Sequence, residues 1–170
     1  MRKFWLIAVL YFLVAVSATA KETQHNLLLD FFNGPMKAEG RFKSNLDGSE
    51  RLFRVKMFAH WNRQKTVLTL IEDFTFQDGE KGRKTWVFKQ TENNRYRGTR
   101  EDVVGEADVW QEGDVLKLRY RANIKSSSGS SAEVKFEDEL VRLSKKIVRN
   151  TASVHWWFLT VGNVELTIKK

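Results

Sequence analysis

The chain of 170 residues carries 29 Lys and Arg against 21 Asp and Glu, a formal net charge of +8, with 12% aromatic residues, one proline and no cysteine. The absence of cysteine excludes disulfides, zinc–thiolate sites and cysteine nucleophiles, so burial and backbone pairing must hold the fold. The basic balance favours anionic partners such as lipid headgroups. Arg2 and Lys3 precede an apolar run from Phe4 to Val16, and Ala18-Thr19-Ala20 offers a small-x-small cleavage site. This layout predicts a signal peptide over residues 1–20, cleaved after Ala20, and one domain over residues 21–170 in the periplasm. The run of 13 apolar residues is shorter than the roughly 20 that span a bilayer. With no cysteine to lipidate, a lipoprotein is not expected, and export argues against nucleic acid as a partner.

Leu27 to Phe32 is a compact apolar segment ending at Gly34-Pro35, read as a short helix or plug at one end of a barrel. Strand patterns then dominate. Phe53, Val55, Met57, Ala59 and Trp61 alternate with Arg54, Lys56, Phe58 and His60, the period of a strand with one face buried. Leu68, Leu70, Glu72, Phe74 and Phe76 share a face before the turn Gln77-Asp78-Gly79-Glu80, and Trp86 and Phe88 lie on the returning strand. Further turns are expected at Asn45-Leu46-Asp47-Gly48, Asn93-Asn94, Glu112-Gly113 and Lys145-Lys146, and a flexible loop at Ser126 to Ser131. Leu116, Leu118, Tyr120, Ala122 and Ile124 form one face, and Val134, Phe136, Asp138 and Leu140 another, before Ile147 to Leu159 and Val164 to Ile168 close the chain. About nine or ten antiparallel strands at hairpin spacing predict an all-β barrel, since closure removes the exposed edges.

Several motifs resemble a known family. They are Asp30-Phe31-Phe32-x-Gly34, Ala38-x-Gly40-x-Phe42, Asp47-Gly48 and Glu72-x-Phe74-x-Phe76-x-Asp78-Gly79-Glu80. Arg83-x-x-Trp86, Tyr96-x-Gly98, Asp102-Val103-Val104-Gly105-x-Ala107 and Asn150-Thr151-Ala152 follow in order. The pattern is similar to the domain of unknown function 3833 family of small bacterial envelope proteins. The resemblance implies export in a Gram-negative bacterium and a lipocalin-like barrel of calycin type, with no established activity. Many relatives look like lipoproteins, and this chain departs from them in lacking the cysteine.

Two acids stand among apolar residues of one face, Glu72 and Asp138. A carboxylate so placed needs a partner, a proton or water, and burial raises its pKa. Both are candidate anchors for a ligand's polar end, within expected reach of Arg83, Lys84, Arg142 or Tyr120, and Glu72 is also a candidate general base. A structural ion pair is the competing reading. Trp61, Trp86, Tyr120 and, under one choice of register for the last strands, Trp156 and Phe158 fall on expected inward faces, where rings either line a cavity or fill it. The candidate ligand-binding set is Trp61, Glu72, Trp86, Tyr120, Phe136, Asp138 and Arg142. His25, His60 and His155 are scattered, so no metal site is expected, and no motif calls for a cofactor. Asp102 to Gly105 reads as turn chemistry, and Asn150 as a structural hydrogen-bonding group.

The sequence therefore points to a periplasmic barrel, expected to be a monomer, that binds a small hydrophobic ligand of fatty-acyl or lipid-like kind. Two alternatives stay open. One is an isomerase or cyclase with Glu72 as base. The other is an envelope module whose outer basic residues Arg54, Lys56, Lys117, Arg119 and Arg121 dock on an anionic membrane surface.

Overall fold

Alternation of apolar and charged residues dictates the architecture. The computed structural model describes residues 26–125 and 131–170, so the expected signal peptide and most of the Ser-rich loop lie outside the described residues. One helix, α1 (Leu27–Phe31), precedes β1 (Gly34–Ser44), β2 (Glu50–Trp61), β3 (Val67–Phe76), β4 (Lys81–Glu92) and β5 (Arg95–Thr99). They are followed by β6 (Ala107–Glu112), β7 (Val115–Lys125), β8 (Ser131–Ser144), β9 (Ile147–Trp156) and β10 (Leu159–Lys169). All neighbours pair antiparallel, and β1 pairs with β10 to close a barrel of ten strands, as the sequence pattern predicts. The expected β3–β4 turn forms with Gly79 at φ +85°, a left-handed conformation that glycine adopts without strain. Gly40 answers a different need: a Cβ there would lie 2.6 Å from the Glu165 carbonyl oxygen of β10, so the β1–β10 seam closes only over hydrogen.

α1 closes one end of the barrel. Asn26 caps it, its side-chain oxygen accepting from Leu29 N at 3.1 Å, while its Nδ2 donates to Asn94 Oδ1 and Tyr96 OH, both at 2.8 Å. Leu27, Leu28, Phe31 and Phe32 are buried beneath it, and the Trp61 indole donates to Phe32 O at 2.9 Å. The plug is thus fixed by a polar clamp around an apolar stripe.

The other end is shaped by the β5–β6 connection, which turns across β7. Val103 forms a bridge to Ala122, Val104 N donates to Arg121 O and Asn123 N to Asp102 O, each at 2.8 Å. This crossing carries Arg100 and Asp102 into the barrel. One expectation is corrected here. Trp156 and Phe158 do not line the interior: Trp156 ends β9 at the exposed rim, and Phe158 lies in the turn Trp157-Phe158 that breaks the run from Ile147 to Leu159. Apolar residues on both faces, and no Gly, Asn or Pro at 156–159, hid that turn. Trp156 is 49% and Phe158 86% exposed.

Candidate functional site

Register decides which side chains meet in the open half of the barrel. Glu72 on β3 lies opposite Met57 on β2 and Lys84 on β4. Tyr120 on β7 lies opposite Phe136 on β8, and Asp138 lies between Leu118 and Ala152. A continuous aromatic stack results. Trp86 lies on Phe88 with centroids 5.1 Å apart, meets Tyr120 edge-on at 5.2 Å, and Tyr120 stacks on Phe136 at 4.9 Å. The Arg100 guanidinium covers this stack, 4.5 Å from the Trp86 ring and 5.3 Å from that of Tyr120. Desolvated cation–π contacts of this kind contribute about 2 kcal/mol.

The charges divide into two groups. Arg100 Nε donates to Asp102 Oδ1 at 2.6 Å, and Lys84 Nζ pairs with the same carboxylate. Burial would raise the pKa of Asp102, but Arg100 and Lys84 hold it below the usual range. Both cations are therefore committed to Asp102. Glu72 and Asp138 are left to the apolar wall. Burial pushes Glu72 up to about 7, against the opposing pull of Arg100 and Lys84. Burial likewise raises Asp138 to about 6, although Asn150 Nδ2 donates to its Oδ2 at 3.1 Å. Burial, with Asp138 next, lifts the Tyr120 phenol well above its ordinary value. Asp138 Oδ1 and Asn150 Oδ1 are buried acceptors without a donor among the described residues. Each such group costs about 1–3 kcal/mol.

Apolar side chains are less completely covered toward the end opposite α1 than beneath it. Inward-facing Phe74, Phe76, Ile124, Phe136, Val164 and Leu166 remain only half-buried, and a Cβ added at Gly82 would meet nothing within 4 Å. Beneath these half-buried side chains the two unsatisfied acceptors are themselves closed off from solvent. Separate hollows of about 410 and 370 Å³ lie outside the wall, one over β8–β10 by Glu137, Thr151 and Glu165, the other beside Arg95 and Trp110. Neither contains this chemistry. No group of three or more His, Asp or Glu suited to a metal occurs among the described residues.

The family model described as Protein of unknown function (DUF3833) matches residues 8–170. The chain belongs to this family. Among curated proteins none matches it. Of solved structures, it is similar to the S-type phycobiliprotein lyase CPES from Guillardia theta, with a TM-score of 0.55 at 7% identity, over 80% of this chain and 85% of that one. EF1p2_mFAP2b bound to DFHBI aligns with a TM-score of 0.46 at 9% identity, over 82% and 93% of the two chains. A de novo designed fluorescence-activating beta barrel aligns with a TM-score of 0.44 at 14% identity, over 86% and 98%. The lyase likeness supports a lipocalin-like barrel and, at this identity, speaks to fold alone.

Of the residues singled out from the sequence, Glu72, Trp86, Tyr120, Phe136 and Asp138 converge in the open half. Trp61 and Arg142 do not join them. Both belong to the α1 end, Trp61 through Phe32 and Arg142 through Asp30, 3.9 Å away. Arg83, another expected partner, points outward to Asp73. Sequence reasoning missed Arg100 and the role of Asp102, since a turn crossing a distant strand leaves no periodic signal. Asn150 is structural only in part, for it holds one oxygen of Asp138 and leaves its own unpaired. The expected outer basic face is divided. Arg54 and Lys56 lie on β2 and the other three on β7, five strands away in the ring of ten. Arg54, Lys117, Arg119 and Arg121 each have an acidic partner, Glu39, Glu112, Glu137 and Glu133.

Proposed function

We propose that this protein is an exported, periplasmic binding barrel that takes up a small, mainly apolar molecule through its open mouth. The polar end of the ligand would be seated against Asp138, Asn150 and Glu72. The observation that carries this reading is the half-buried apolar wall ending at buried acceptors that lack donors. A ligand whose polar end bears N–H or O–H groups satisfies both acceptors, and its apolar body covers Phe74, Phe136 and Leu166. Lipid-like chains with an amine or hydroxyl end fit this pattern better than a carboxylate, which would add a third anion beside Glu72 and Asp138 above neutral pH. The basic start, apolar run and small-residue site of residues 1–20 support export.

Tryptophan fluorescence with alkyl chains of one length, ending in amine, alcohol or carboxylate, tests the reading at about pH 8. A saturable change is expected for the amine and alcohol, reduced in Trp86→Phe and weakened at least about tenfold in Asp138→Asn, the scale of a lost charged hydrogen bond. No saturable response to any chain would leave a barrel that is merely filled. A second reading, an isomerase- or cyclase-type enzyme, rests on Glu72, since a carboxyl held near 7 in an apolar wall suits proton transfer at neutral pH. Turnover of a bound ligand, lost in Glu72→Gln while binding persists, would favour it.

A further inference from the structure

Two residues, Trp157 and Phe158, connect β9 to β10, with Trp156 and Leu159 paired behind them. Two-residue hairpin turns favour Asn, Asp or Gly, because the chain must adopt positive φ. Here Trp157 takes φ +56°, which a bulky side chain adopts only at a cost. Burial does not offset that cost, since Trp157 is 84% and Phe158 86% exposed. Fold stability therefore accounts for neither ring, and glycine at 157 followed by a polar residue would make the better turn.

The surroundings extend the apolar edge. From Trp156 to Val164 the chain carries no charged residue. Asn45 N donates to Val161 O at 2.9 Å and Asn45 Nδ2 to Thr160 O at 3.1 Å. These bonds bring the β1–β2 turn, with Leu46 73% exposed, to the same rim of the open mouth. The nearest cations are already matched by acids, Lys43 with Glu50 and Lys135 with Glu137.

A convex, uncharged projection offers no groove for a peptide and suits a partner that opens around it. We propose that this edge inserts into the interfacial layer of a lipid bilayer, held by its rings and not by charge. Indole suits that depth, being an apolar ring with a single N–H donor. Because the neighbouring cations are paired with acids, and the one unpaired charge of the adjoining turn is the Asp47 carboxylate, insertion needs no anionic lipid and resists salt. It sets the open mouth against the bilayer and turns the α1 end away, and it stands whether or not the interior takes a ligand.

The chain has no cysteine, so a single introduced thiol carries an environment-sensitive fluorophore cleanly. Leu159→Cys reads the edge, and Lys145→Cys, in the β8–β9 turn at the α1 end, reads the opposite pole. Full-length protein is mixed with zwitterionic phosphatidylcholine vesicles in about 0.1 and about 0.5 M salt, concentrations that differ strongly in screening. Emission at 159 should shift to the blue in both, with less than about twofold change in half-saturating lipid, while emission at 145 stays constant. Trp157→Gly with Phe158→Asn, which puts glycine where φ is positive, should raise half-saturating lipid at least about tenfold. A label at 159 that stays in water overturns the proposal, even if the leading segment carries the chain onto vesicles. Equal shifts at 159 and 145 overturn it, as does binding that requires anionic lipid and disappears in salt. A shift at 159 on raising protein concentration without lipid also overturns it, making the edge an interface between copies.

Discussion

Replacing Glu72 with glutamine keeps the side chain's shape and removes its charge. Burial raises this carboxyl from 4.5 to about 7, so the folded protein holds a proton that the unfolded chain has already released. Stability associated with Glu72 is therefore fully present below pH 4.5 and declines as pH rises, levelling off above about 7. At about 1.4 kcal/mol per pH unit, the interval corresponds to about 3 kcal/mol. Glutamine has no such equilibrium. Glu72→Gln should match wild type near pH 4.5 and exceed it by about 3 kcal/mol near pH 8. Loss of the carboxylate does not strand a cation, because Arg100 and Lys84 both keep Asp102. In urea, with m of about 1–3 kcal/mol per molar, the midpoint should rise by about 1–3 M at the higher pH. A fall there, on the scale of the about 3–5 kcal/mol typical of a broken buried ion pair, would refute the reasoning and make Glu72 scaffold.

Asp102→Asn should do the opposite, leaving Arg100 buried over the Trp86–Tyr120 stack without its carboxylate, at a cost of about 3–5 kcal/mol in denaturant unfolding. A loss below about 1 kcal/mol would show that the stack alone holds Arg100. Gly40→Ala should destabilise by about 1–3 kcal/mol or more, because its Cβ meets the Glu165 carbonyl, which cannot swing aside, as well as the Leu166 and Phe53 side chains. Thermal unfolding reads that change directly. Asn26→Ala removes the α1 cap and the bonds to Asn94 and Tyr96, and should cost about 1–3 kcal/mol. Hydrogen exchange should quicken across α1 while the β7–β8 ladder stays protected.

The barrel was legible because its strands alternate cleanly. Glu72 and Asp138 stood out as acids on apolar faces, and both are inside. Where alternation fails, the reading failed too. Trp156 kept the inward period but ended β9 at the exposed rim, and Phe158 fell in a turn made of aromatic residues. Arg100 and Asp102 reached the interior through a bend across β7, a tertiary event that no local spacing encodes. Trp61 and Arg142 share the inward face but lie at the α1 end. A face follows from period two, whereas depth along the barrel depends on the stagger of strands, which only pairing registers reveal.

The claim that the barrel receives a small apolar ligand is tested most directly by native mass spectrometry of the protein purified from its own cells. The expected species is the chain beginning at Lys21 with a small-molecule adduct, displaced in Asp138→Asn. A bare chain in every charge state, with nothing taken up from an added total lipid extract, would contradict it.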